Sequence, residues 1–312
     1  MKMPRQLQGV LPIMQTPFDD NDRIDAKVLK KEVDWAYSVG ADGIGTGMVS
    51  EILRLTADER RELTEQLAEA SGGRGAVFAA VGSESGKQAL AHAVHAESAG
   101  CDAVMAAPPL TTRLSVEAHL DYYREIADGI ALPVIVQDAS SYVGSAIPIE
   151  VYVRLLDMYG DEKILFKPEA APIGPNLSAL RDATDGRAKI YEGSGGILLV
   201  DSYRRGIAGT MPGMDLLDGV VALWKALQAG DDDSAYDLYY PICALVGLQL
   251  QAGLDGFLAI EKYLLVKRGI FVNEKRRAPF GWSIDRETAA EVDRLFMRMQ
   301  SAIERCRSGT AR

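Results

Sequence analysis

Eight short apolar runs, spaced by stretches with a helical pattern, constrain this chain of 312 residues more than any other feature. The runs fall at residues 10–15, 43–46, 76–81, 103–107, 134–137, 164–167, 189–191 and 207–210. Continuous apolarity over four to six residues is expected of strands covered on both faces, as in a parallel sheet. Helical periodicity falls between them, at residues 26–39, 57–70, 87–99, 116–127, 149–159 and 216–229. Most of these segments are introduced by a capping residue or a proline, and many are closed by glycine. Eight strand–helix units favour a closed (β/α)8 or TIM barrel over an open doubly wound sheet. After Gly230 the strands stop and the pattern turns helical, at residues 233–252, 256–268 and 285–306, with a loop at 273–282 punctuated by Pro279 and Gly281. The expected architecture is therefore α/β: a TIM barrel over residues 1–230, with a C-terminal helical appendage over residues 231–312 packed on it. A disordered tail is expected only at residues 308–312.

Composition narrows the function classes. With 47% hydrophobic and 25% charged residues the chain can bury a large core. A net charge of −10 speaks against a nucleic-acid or anionic-membrane surface. Cys101, Cys243 and Cys306 are far apart and in no metal-ligand spacing, which points to a reducing compartment. Residues 1–8 carry no apolar core of a signal peptide, and no run approaches membrane-spanning length. The expectation is a cytoplasmic protein with no membrane partner.

Within that frame Lys167 stands out, because the run Ile164-Leu165-Phe166 ends in an amine. Chemistry in a TIM barrel sits at the C-terminal ends of the strands. A desolvated lysine there can attack a carbonyl and form a Schiff base. The plainer alternative is a stem that snorkels to a wet head. Other strand ends offer Thr16 at the first strand, Met48, Val49 and Ser50 after the second, Gln137 at the fifth, Glu192 and Gly193 at the seventh, and Gly209 and Thr210 at the eighth. The glycine-rich Gly193-Ser194-Gly195-Gly196 also admits a phosphate-cradle reading, or simply a tight turn. His92 and His95 share a helix without a third ligand at matching spacing, so they read as solvated helix histidines and no metal is expected.

The chain resembles the family of dihydrodipicolinate synthases and N-acetylneuraminate lyases, which are class I, Schiff-base-forming lyases. The likeness is carried by Thr16-Pro17-Phe18 with the acidic loop after it, by Gly40-Ala41-Asp42-Gly43, by Glu51-Ile52-Leu53-Arg54-Leu55-Thr56, by Pro133-Val134-Ile135-Val136, and by Lys167 at the position of the Schiff-base lysine. It extends over nearly the whole chain, and it implies a barrel with C-terminal helices, no cofactor, a small keto acid as partner, and a homo-oligomer, tetramer or dimer. Glu51 is structural by the same resemblance.

The departures are specific. The family's paired-hydroxyl loop reads Gly47-Met48-Val49-Ser50-Glu51 here, so carboxylate binding would fall chiefly to the main chain of Met48, Val49 and Ser50. Gln137 stands at the relay tyrosine, Thr111 at the tyrosine lent by a neighbouring subunit, and Tyr142 at the arginine that holds the second substrate. These replacements speak against dihydrodipicolinate synthesis and against ordinary sialic acid cleavage. Side chains two apart on a strand share a face, so Glu169 is the expected general base beside Lys167 unless Pro168 breaks the alternation, with Glu192 as second candidate. Asp138, one residue on from Gln137, should face away. Two functions remain open: a lyase (aldolase or dehydratase) for pyruvate-derived or 2-keto-3-deoxy sugar acids, and a catalytically weak keto-acid-binding or assembly protein.

Overall fold

Parallel pairing of short strands generates the architecture seen in a computed structural model, which describes residues 5–308. The expectations placed on residues 1–4 and 309–312 lie outside the described residues, and Ser308 is the last residue of a helix. The strands are β1 (Gly9–Val10), β2 (Gly43–Gly45), β3 (Ala76–Ala80), β4 (Ala103–Ala106), β5 (Val134–Asp138), β6 (Ile164–Pro168), β7 (Tyr191–Glu192) and β8 (Gly209–Thr210). β2 to β6 form one parallel sheet in sequence order, and β1, β8 and β7 form another. Parallel bridges Ile13↔Gly45 and Phe166↔Ile190 join the two, so the eight strands close into a barrel. The first ladder is much shorter than the apolar run that encodes it. Leu11 N–H and Ile13 N–H still donate to the Thr210 and Pro212 carbonyls at 2.9 and 2.8 Å, but Pro212 has no N–H to return to β1, so the regular pairing of β1 with β8 stops at Val10. β7 and β8 keep two residues each.

Period-two alternation sorts the strand side chains into an inner and an outer set. Leu11, Ile13, Phe78, Met105, Ile135 and Leu165 fill the barrel interior as one apolar cluster. Gly45 makes room for that filling: a Cβ there would lie 2.3 Å from the Phe78 ring. The outer set packs against the helices α1 (Ala26–Val39), α2 (Ala57–Ser71), α3 (Gly86–Ser98), α4 (Val116–Gly129), α5 (Ile149–Tyr159), α6 (Ile173–Ala183), α7 (Leu199–Arg204) and α8 (Leu217–Ala229). Asp25, Thr56, Ser85 and Ser115 cap the first four through their side-chain oxygens. The short α6 and α7 were absent from the periodic stretches; α6 starts directly after Pro172 and carries Gly174 and Pro175 in its first turn. Of the two helix histidines expected to be solvated, His95 is half-buried and His92 is buried, at 6% exposed. Burial lowers the His92 imidazole to about 4, keeping it neutral.

Three further helices follow: α9 (Asp232–Leu250), α10 (Gly253–Lys267) and α11 (Arg286–Ser308). α9 packs on α8 and α11, while α10 packs on α9 and on the helical turn Met48–Ser50 that follows β2. The junction of α10 with the barrel is ionic and fully buried. Lys262 Nζ donates to the Thr16 carbonyl at 2.8 Å, to the Lys275 carbonyl at 2.6 Å and to the Glu51 carboxylate. Glu51 also accepts from the Arg277 N–H at 2.6 Å. Removing one partner of such a pair strands the other charge in the interior. Glu51→Ala is expected to lower stability by roughly 3–5 kcal/mol, read as a fall in the urea midpoint; a change below about 1 kcal/mol, the scale of an exposed pair, would show that the junction is not held by this contact.

Candidate active site

The inner face of β6 runs Leu165, Lys167, Glu169, and that of β5 runs Ile135, Gln137. Register aligns them, with Ile135 opposite Leu165 and Gln137 opposite Lys167. The lower pair belongs to the apolar filling of the barrel. The upper pair therefore emerges at the mouth as the first polar layer above that filling. Pro168 does not disturb the alternation, since it pairs with Asp138 inside the ladder. Asp138 faces the other side, where it accepts from the N–H groups of Ile147 at 2.7 Å and Ser140 at 2.9 Å.

Lys167 is 4% exposed and Glu169 2%. Lys167 Nζ donates to Glu169 Oε2 at 2.8 Å, and Gln137 Nε2 donates to the same oxygen at 2.9 Å. Burial raises the Glu169 carboxyl above the usual carboxylate range, while Lys167 and the Gln137 amide pull the other way. Gly193, in the loop after β7, lets these groups meet. A Cβ there would lie 2.5 Å from Glu169 Oε1 and 2.6 Å from Lys167 Nζ. The glycine thus serves close approach to the amine and carboxylate.

Above this pair lies a small cavity of about 40 Å³. Lys167, Glu169, Gln137, Met48, Val49 and Gly193 line it. The remaining candidates stand behind that wall. Thr16 is fully buried and its hydroxyl donates to the Ser50 carbonyl at 2.6 Å. The Ser50 hydroxyl donates to the Met14 carbonyl and accepts from the Gly47 N–H at 3.0 Å. Glu192 accepts from the Thr210 hydroxyl at 2.7 Å and from the Ser194 N–H at 2.5 Å, so both of its oxygens are engaged within the loop. Gly209 lies in the β1–β8 ladder opposite Gly9.

Several wall residues were not singled out for this role in the sequence. Tyr142 lines the cavity and meets Phe257 edge-on with ring centroids 5.7 Å apart. Burial and the charges of Glu169, Glu192 and Glu261 push its phenol well up, so it presents a neutral hydroxyl. Leu254, Phe257 and Glu261 come from α10. The sequence carried one signal for the last of these: Glu261-Lys262 interrupts an otherwise apolar helix. Thr111 donates through its hydroxyl to Glu84. Arg54 pairs with Asp255 at 2.6 Å.

The arrangement holds an amine beside a carboxylate in a buried site, with an amide and a phenol at hand. Comparison with known proteins agrees with that chemistry. The chain is 28% identical over 306 residues to the L-2-keto-3-deoxyarabonate dehydratase of Azospirillum brasilense, with 96% of each chain covered. It is 29% identical over 189 residues to the 4-hydroxy-tetrahydrodipicolinate synthase of Chlorobium phaeobacteroides, covering 60% of this chain and 59% of that one. The crystal structure of dihydrodipicolinate synthase from Rhodopseudomonas palustris superposes with a TM-score of 0.84 at 27% identity, over 96% of this chain and 99% of the other. The model of the dihydrodipicolinate synthetase family matches residues 6–297, and this chain belongs to that family.

Proposed function

We propose that the protein is a class I lyase that dehydrates a 2-keto-3-deoxy sugar acid through an imine on Lys167. The observation that carries the reading is the buried contact of Lys167 with Glu169 at the mouth of the barrel. An amine must be neutral to attack a carbonyl, and Glu169 is placed to take its proton. Attack at C2 gives a carbinolamine, and Glu169 returns the proton to its hydroxyl, which leaves as water; the iminium formed acidifies the hydrogens at C3. Glu169, again ionised, removes a C3 proton, and the enamine electrons expel the C4 hydroxyl, which takes that proton from Glu169 and leaves as water. Hydrolysis of the product imine frees Lys167.

Dehydration is favoured over retro-aldol cleavage by the dehydratase name of the relative that matches end to end. The substrate carboxylate is assigned to the main chain of Met48 and Val49, because the first N–H groups of a helical turn have no partner within it, whereas the Ser50 N–H donates to the Gly47 carbonyl at 3.0 Å. The Tyr142 phenol takes over hydroxyl contacts that Gln137 cannot supply as an acid. Thr16, Ser50, Glu192, Gly209 and Thr210 support the loops that shape the cavity. The protein is read as working in the cytoplasm as a homo-oligomer. Among the described residues no helix is long and apolar enough to cross a membrane.

Borohydride reduction with pyruvate is expected to leave a mass-shifted Lys167, with no adduct in Lys167→Ala; labelling elsewhere, or none across a panel of 2-keto acids, removes the imine from the mechanism. Glu169→Gln is expected to lower turnover by roughly 10²- to 10⁴-fold, the usual size of a general acid–base contribution. Because burial raises this carboxyl, turnover of the native enzyme should fall as pH drops through a value above the usual carboxylate range, and that acid limb should vanish in the variant. An acid limb that persists in Glu169→Gln would assign the base elsewhere. With pyruvate and aspartate semialdehyde the protein is expected to form little dihydrodipicolinate, since Gln137 and Tyr142 replace the relay and carboxylate-binding side chains; efficient turnover in that assay would refute the loop assignment.

A further inference from the structure

A second carboxyl stands in the wall of the Lys167 cavity, and the chemistry above leaves it without a task. Glu261, on α10, is 1% exposed and lines the cavity together with Lys167, Glu169 and Tyr142. It reaches the wall past Gly213, where a Cβ would lie 2.6 Å from each of its carboxyl oxygens. Gln15 Nε2 fixes it from behind, donating to Oε2 at 2.6 Å. Among the described residues no Lys or Arg forms an ion pair with Glu261; its neighbour Lys262 is directed to Glu51.

Its surroundings are acidic. Burial pushes the Glu261 carboxyl well up, the charge of Asp215 adds to this, and Glu32 adds further, against the Gln15 amide and the Met214 N–H. Asp215 is itself raised to about 7 by burial, in spite of Arg268 and the Gln249 amide. Glu32 is fully buried and raised by the same cause. Burial and the two neighbouring carboxyls favour the protonated form of Glu261, which offers one O–H donor and one carbonyl acceptor.

We propose that Glu261 contacts the substrate and selects keto acids with a hydroxylated tail, by hydrogen bonding to a tail hydroxyl at the α10 side of the cavity. The inference rests on the lyase reading for the position of the keto acid and extends it to the far end of the molecule. Three tail chemistries can be compared. A hydroxyl matches the donor and acceptor of a protonated carboxyl. An ionised tail would find no Lys or Arg paired with Glu261, among the described residues, to meet it. An apolar tail would leave the side of the Glu261 carboxyl that faces the cavity without a partner, at the cost of a buried polar group only partly satisfied. Leu254, Phe257 and Met211 around it give the tail apolar contact only.

The test uses two acids that cannot form an imine: 3-deoxypentonate, which carries tail hydroxyls, and 2-hydroxypentanoate, which does not. Calorimetry on the native enzyme should show the hydroxylated acid bound about tenfold more tightly, the size of one hydrogen bond to a charged or strongly polar group. Glu261→Leu should bring the ratio of the two affinities to about one, as expected when that bond is removed, while Glu261→Gln, which keeps hydrogen-bonding capacity, should retain a preference. If Glu261→Leu fails to fold by circular dichroism, Gly213→Ala serves instead, since its methyl occupies the place of the carboxyl. A native enzyme without preference, or an unchanged ratio in the variant, overturns the proposal. Pyruvate trapping on the native enzyme, run beside it, reports on the imine alone: lost trapping with an intact, Glu261-dependent ratio sinks the lyase reading and upholds the contact, and trapping with a flat ratio does the reverse.

Discussion

An amine buried at the end of an apolar strand must find a partner, and the mouth of this barrel is organised around meeting that requirement. A lone ammonium in a low-dielectric site is costly enough that it is neutralised or paired. Here Glu169 supplies the pair from the same strand, two residues on, and Gln137 supplies a third group from the strand opposite. Gly193 then gives up its side chain so that these groups can come together. Each feature alone is ordinary; jointly they place an exchangeable proton beside a nucleophile in a pocket that excludes bulk water.

The parts of this arrangement that follow from strand periodicity were legible in the sequence. An apolar run ending in lysine, with a glutamate two residues later, places both on one face whenever the run is a strand. Eight such runs made the barrel itself legible, and the family resemblance agreed with it. What failed to follow from the pattern depended on loops and on partners distant in sequence. β1 pairs regularly with β8 over two residues only, because Pro212 on the facing segment lacks the donor for the next rung, although the apolar run continues. Thr16 stood at a strand end as a binding candidate, but the crossing of the first two loops turns its hydroxyl onto the Ser50 carbonyl. Glu192 sits at a strand end as expected, and its oxygens are taken by Thr210 and Ser194.

Glu261 marks the limit of sequence reasoning from another direction. A helix that is apolar nearly all round does not disclose which side meets a cavity, and α10 is of that kind. Glu261 reaches the cavity that Lys167 also lines because α10 lies on the turn after β2 and because the loop after β8 carries Gly213 where any side chain would meet its carboxyl. The relevant information is spread over three segments that are remote in the chain, so no local motif encodes it. The helical region is thus more than a cover for the barrel, since α10 furnishes part of the cavity wall.

The buried junction of Lys262 with Glu51, Thr16 and Lys275 bears on how that cavity receives a ligand. A wall anchored by charge-assisted bonds to the loops after the first two strands is not free to swing outward, so the distance across the pocket is set during folding. Recognition then proceeds by preorganisation: little conformational entropy is left to lose on binding, and a ligand of the wrong length is met by a rigid boundary that does not yield to it.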